Sequence, residues 1–343
     1  MLARTFKMEE QGKPGRFRRV IRFIAKLILV VVVAIILFGA IYQWAESRLS
    51  ERRFPPPGKL YDVGGYRMHL NCTGQGQPTI VLDAGLGGGS IDWGTVQPEL
   101  SRFTRVCSFD HAGAGWSDPG PQPRDGAQKI RELHSLLIAA NITGPYVMAG
   151  HSLGGLTTQL YASEFPGDVA GVVLVDSSHE LQNKRKEIGG LPAWALKTLR
   201  VLTPVGGTRM LLVLSSKGLH IPEASAEMRL GVYSRSNHLN SVIDEAENLD
   251  ALMDQVHAKP MQLGTKPLIV LTRGKLSKAP WQSEEEAQAM ESAWQELQKD
   301  LASRSTDSKQ IIARNSTHFI QTDEPQVVID ALSGMIAKLR GGK

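Results

Sequence analysis

Short apolar runs rich in β-branched residues recur along this chain, separated by stretches with helical periodicity. Thr79–Asp83, Arg105–Asp110, Tyr146–Gly150, Val172–Asp176, Leu268–Thr272 and Gln310–Ala313 are nearly continuous in apolar character, and Tyr66–Asn71 alternates. Continuous runs of this length are what parallel strands covered on both faces look like. Helical patterns such as Gln128–Ala139 and Leu156–Glu164 lie between them. Strands alternating with helices predict an open α/β sheet. The stretch from Ser178 to Leu263 breaks the rhythm. It has no clear strand and carries helical apolar patterns over Leu191–Leu202, Met210–Leu219 and Ala246–Val256. It is expected to be a helical cap over 178–263, inserted into a core formed by 59–177 and 264–343.

Residues 27–45 read LILVVVVAIILFGAIYQWA and carry no charge between Lys26 and Glu46. At about 1.5 Å per residue the run spans roughly 28 Å, close to the thickness of a bilayer's hydrocarbon core. Tyr42 and Trp44 stand at one end, where amphipathic rings favour the interface. A cleaved signal peptide would have a shorter apolar core and small residues at a cleavage site, neither of which is seen here. A buried core helix is a further alternative. A retained transmembrane anchor over 27–45 is the expectation, followed by a polar and Pro-rich linker over 46–58.

Charge supports that division. The chain of 343 residues has a formal charge of +5. Residues 1–26 hold eight basic and two acidic side chains, so this tail alone is +6 and the remainder is about −1. The positive-inside rule then predicts a cytoplasmic tail and a folded domain outside the cytoplasm, periplasmic or extracellular. A near-neutral body disfavours nucleic acid as a partner.

Gly150-His151-Ser152-Leu153-Gly154 is a G-x-S-x-G string that follows a buried strand and opens a helix, the context of a nucleophile elbow. Such a serine projects from a strained turn, and side chains two residues before and after it would collide there. The following helix N-terminus offers N–H groups to a developing negative charge. A serine hydroxyl needs a base. With an elbow of this kind the base comes from a loop after the last strand, and His318 in NSTHFIQTDEP stands there. His151 reads as structural, and His179 is a weaker candidate. The nine histidines show no metal-ligand spacing, so no metal is expected.

These residues resemble the α/β-hydrolases, and within them the cap-bearing lipase/esterase-like branch. The resemblance rests on Ala84-Gly85-Leu86-Gly87-Gly88-Gly89, Asp110 to Asp118 (DHAGAGWSD), the Gly150–Gly154 elbow and Thr317-His318-Phe319, and it spans about residues 60–340. It implies an eight-stranded, mostly parallel sheet, a Ser-acid-His triad and no cofactor. It assigns the oxyanion hole to the backbone amides of Leu86 and Leu153. The family usually places its acid after the seventh strand, where Arg273–Lys278 carries no carboxylate. Some members carry it after the sixth strand, where Asp176 stands. Asp176 is the expected acid, with the Glu284–Glu286 run as the alternative. The family's strand order makes the strands near Cys72 and Cys107 neighbours, so a disulfide between them is expected, with two buried free thiols as the alternative.

The apolar segment and the resemblance together imply a membrane-anchored serine hydrolase, foremost a carboxylic ester hydrolase acting on a small-molecule or lipid ester. Amide, thioester or C–C bond hydrolysis and acyl transfer share the same residues. A non-catalytic receptor of this fold is the reading from another class. Leu191, Trp194, Leu196, Leu199, Val201, Leu202 and Met210–Leu214 form an apolar cap surface, either a substrate roof or ordinary packing, through which a tethered domain could draw substrate from the bilayer.

Overall fold

The computed structural model of the chain describes residues 15–185, 188, 192–216, 223–276, 278 and 282–341. The first 14 residues of the expected tail, Leu191, Ser277 and residues 217–222 of the expected cap lie outside the described residues.

Eight strands form one sheet: β1 (Lys59–Asp62), β2 (Arg67–Thr73), β3 (Ile80–Asp83), β4 (Val106–Phe109), β5 (Tyr146–His151), β6 (Val169–Val175), β7 (Leu268–Arg273) and β8 (Ser308–Ala313). Their order is 1-2-4-3-5-6-7-8. β2 runs antiparallel to β1 and β4, and the pairings from β4 through β8 are parallel. The helices are α1 (Arg16–Arg53), α2 (Gln97–Leu100), α3 (Gly126–Ala139), α4 (Leu153–Glu164), α5 (Ala193–Leu202), α6 (Gly207–Ser216), α7 (Glu223–Tyr233), α8 (Ser236–Glu247), α9 (Leu249–Ala258), α10 (Glu284–Ala302), α11 (Ile320–Asp323) and α12 (Pro325–Leu339).

The apolar runs are strands because both of their faces are covered. Successive side chains of a strand point to opposite faces. In β6, Val172 and Leu174 enter one core with α3, α4 and α9, while Val173 and Val175 enter the other with α2 and α12. Burying each such side chain contributes about 1.5–3 kcal/mol. Cys72 lies within β2, directly opposite Cys107 of β4, and a disulfide joins them. Between β6 and β7 the chain forms the helices α5 to α9. The apolar pattern over 246–256 is divided by Asn248, which ends α8 and precedes α9.

The N-terminal segment corrects one expectation. The helix does not stop near Ala45: α1 is a single helix of 38 residues ending at Arg53, so most of the expected linker over 46–58 is helical. Nothing in Glu46–Arg53 breaks a helix, and the first proline after the start of α1 is Pro55. Tertiary contact adds to this, since Gln43 and Ser50 are buried against the domain. α1 is long and apolar enough to cross a membrane.

Candidate active site

Three loops at the C-terminal ends of parallel strands meet above the sheet. The first follows β5. Ser152 has φ 51° and ψ −120°, a conformation strained for any residue with a Cβ. The turn is possible because its flanks lack side chains: a Cβ on Gly154 would lie 2.5 Å from the Ala84 carbonyl oxygen. α4 begins at the next residue, so Leu153 is its first helical position.

The second loop follows β6 and carries Asp176, fully buried with φ 41°. The third follows β8 and carries His318. His318 Nε2 is 2.9 Å from Ser152 Oγ, and His318 Nδ1 is 2.6 Å from Asp176 Oδ2. Three residues spread over 167 positions thus form one hydrogen-bonded chain. For Nδ1 to donate to a carboxylate, Nε2 must be the acceptor facing the serine.

Asp176 is held from every side. The Arg273 amide donates to Oδ1 at 3.1 Å and its guanidinium to Oδ2 at 3.1 Å. Trp294 Nε1 donates to Oδ1 at 2.9 Å. Burial pushes the Asp176 carboxyl up, but the bond and charge of His318 and the charge and amide of Arg273 outweigh it, so its pKa lies below the usual value. The guanidinium also pairs with Glu291 at 2.9 Å and lies over the Trp294 ring. Neither partner was singled out from sequence. Arg273 was legible as a cation standing where a carboxylate is usual. Trp294 had no signal, because it comes from α10, over 100 residues away.

The other candidates are occupied elsewhere. Glu286 closes a capping box with Ser283 at the start of α10, and Glu284 pairs with Lys278. His179 Nε2 lies 2.9 Å from Asp300, in a cluster with Glu180 and Arg304. His151 is buried, with Nε2 donating to the His318 carbonyl at 2.9 Å. Burial and the neighbouring His318 push its pKa down to about 3. It therefore stays neutral and steadies the His318 loop.

The loop after β3 approaches the serine closely. A Cβ on Gly85 would lie 3.0 Å from the Ser152 Cβ, so only glycine lets Leu86 come alongside. The helices between β6 and β7 grip this loop. Arg229 reaches Asp92 at 2.8 Å, and Asp92 accepts from the Gly89 amide at 3.2 Å. Burial pushes the Asp92 carboxyl up, with Arg229 opposing it. His238 accepts from the Gly115 amide through Nδ1 at 3.0 Å and donates to the Gly87 carbonyl through Nε2 at 3.2 Å. Burial lowers its pKa to about 4, which suits a neutral ring with those two roles. Among the described residues no group of three or more His, Cys, Asp or Glu side chains could hold a metal ion.

Comparison with known proteins agrees with this architecture. The family model for the alpha/beta hydrolase fold matches residues 78–209. The chain is 27% identical over 273 residues to the uncharacterized protein YqjL of Bacillus subtilis, spanning 79% of this chain and 88% of that protein. Several further curated relatives are matched over half of their length or less. Among solved structures, the epoxide hydrolase CorEH superposes with a TM-score of 0.61 at 21% identity, covering 82% of this chain and 99% of that one. The esterase EaEST of Exiguobacterium antarcticum superposes with a TM-score of 0.62 at 16% identity, covering 81% and 99%. The chain thus has the α/β-hydrolase fold, and its residues 78–209 match that family's model.

Proposed function

We propose that this protein is a membrane-anchored serine hydrolase that cleaves carboxylic esters through an acyl-enzyme. The observation that carries the reading is the unbroken chain from Ser152 Oγ to His318 at 2.9 Å and from His318 to Asp176 at 2.6 Å. In this reading His318 Nε2 takes the Ser152 proton as Oγ bonds to the acyl carbonyl carbon. The amides of Leu86 and Leu153 stabilise the oxyanion. His318 then protonates the departing alkoxide, and the ester C–O bond breaks. A water, deprotonated by His318, attacks the acyl-enzyme and frees the acid and Ser152. Asp176 holds His318 in the Nδ1–H tautomer and stabilises the imidazolium.

The elbow serine separates this chain from a hydrolase that opens epoxides with an aspartate nucleophile. α1 supports anchoring, with its basic N-terminal flank on the cytoplasmic side and the domain beyond the membrane. The helices of 178–263 act as the cap over Ser152.

The test is labelling with a fluorophosphonate together with hydrolysis of p-nitrophenyl butyrate by the full chain. Label on Ser152 and turnover that Ser152→Ala abolishes are expected. An unlabelled, inactive but folded protein would favour a receptor of this fold.

A further inference from the structure

Gly39 sets where α1 meets the domain. A Cβ there would lie 2.4 Å from the Val205 carbonyl oxygen, so helix and cap touch backbone to backbone. Four residues on, the buried Gln43 side chain donates to the Ser234 carbonyl at 3.0 Å and to Ser236 Oγ at 3.1 Å, and accepts from Arg209 Nε at 2.7 Å. Ser50 Oγ donates to the Gly231 carbonyl at 2.6 Å, and Arg235 donates to the Ser50 and Phe54 carbonyls. The cap is therefore clamped to α1 from Gly39 onward and to Phe54 just past its end. Residues 15–38 are exposed on every side.

This fixes the depth of the cap. Leu27–Phe38, the apolar part of α1 clear of the domain, is only about 18 Å long at 1.5 Å per residue. A hydrocarbon core is about 30 Å thick, and tilting the helix makes the shortfall worse. Drawing Arg22 and Lys26 into lipid would be costly. Sinking Gly39–Ala45, about 10 Å of helix without a charge, closes most of the gap. Because that segment is clamped to the cap, the cap sinks with it.

The cap surface at this height has matching character. Val201 at the end of α5, and Met210, Leu211 and Leu214 on α6, are 73, 61, 45 and 57% exposed. They flank the Thr203–Val205 turn that meets Gly39. Behind them lies a cavity of about 810 Å³, within the usual range of about 300–1,000 Å³ for ligand sites. Its lining includes Leu86 of the loop beside Ser152 and Leu211, Leu230 and Val242 of the cap, with Arg229 and His238 as polar members. Leu211 belongs to both the exposed row and the cavity wall.

We propose that Val201, Met210, Leu211 and Leu214 lie in the acyl region of the adjoining leaflet, and that the cavity takes the long acyl chain of a lipid ester drawn sideways from it. The substrate half of this proposal rests on the serine-hydrolase reading above. An apolar face buried about 5–10 Å deep is how amphipathic helices lie in an interface. Here the same face supplies Leu211 to the wall of the cavity that Leu86 also lines.

The test uses the full chain in phosphatidylcholine vesicles. Both cysteines are in the disulfide, so Met210→Cys gives a single labelling site for bimane, with Ala337→Cys on α12 as control. Spin-labelled phosphatidylcholine is expected to quench the probe at 210 and not at 337. In parallel, hydrolysis of vesicle-borne mono-oleoylglycerol is measured relative to soluble p-nitrophenyl butyrate. Replacing Met210 and Leu214 together by Glu is expected to lower that ratio about tenfold or more, because charge opposes insertion. No quenching at 210, or an unchanged ratio, overturns the proposal. Butyrate turnover that survives Ser152→Ala would instead sink the serine-hydrolase reading, and the quenching at 210 would still report the depth of the cap.

Discussion

Arg273 closes β7 two positions past the partner of Val175, the last residue of β6, and grips both carboxylate oxygens of Asp176, through its amide to Oδ1 and its guanidinium to Oδ2. A cation thus stands beside an acid displaced by one strand. A fully buried carboxylate without such a partner would lose its charge, and with it the acceptor that orients His318.

Asp176→Asn is expected to keep the fold and lower kcat about 10³–10⁴-fold on p-nitrophenyl butyrate, because the amide favours the wrong imidazole tautomer. Near-normal turnover, with an unchanged circular dichroism spectrum, would remove Asp176 from the site.

Arg273→Gln is expected to destabilise the protein by about 3 kcal/mol near pH 7, since it leaves a buried charge without its cation. The sign with pH follows from the lowered pKa of Asp176. Such a group contributes stability above its unfolded value, and that contribution is lost as pH falls through the folded value. The gap between variant and wild type should therefore narrow below about pH 4. Urea unfolding at pH 7 and pH 3 checks it, and a gap that widens in acid would count against the account.

Arg229→Met is expected to lower kcat about 10–100-fold with a smaller change in KM, because Asp92 and the Gly85–Gly89 loop lose their hold from the cap. A pure rise in KM would mean that Arg229 serves substrate binding alone.

Replacing Cys72 and Cys107 by Ser opens a loop with a sequence separation of 35. The expected loss is about 2–4 kcal/mol, read as a lower urea midpoint. An unchanged midpoint would show that the β2–β4 pairing holds without the bridge.

Much of this was legible in the chain. Val172–Val175 and the other apolar runs announced a sheet covered on both faces, because strand burial writes itself as continuous hydrophobicity. The elbow announced its serine, since Gly150 and Gly154 are demanded by local sterics. Glu284–Glu286 was a plausible acid by sequence and turned out to be a helix start. The capping box Ser283-x-x-Glu286 was its own signal, and local hydrogen bonding explains the charge run. The helical course of Glu46–Arg53 was missed because the prolines drew the boundary too early.

The sequence by itself determined the short-range matters: strand and helix periodicity, the steric needs of the Ser152 turn, and an uncharged stretch long enough to cross a bilayer. Tertiary structure alone decided which carboxylate meets His318, that Arg273 and Trp294 surround it, and that Gly39 and Gln43 clamp the apolar helix to the cap. The physical reason is range. Periodicity and turn sterics act over a few residues, whereas a buried charge or a helix-to-cap contact is satisfied by partners that only the folded topology brings within hydrogen-bond distance.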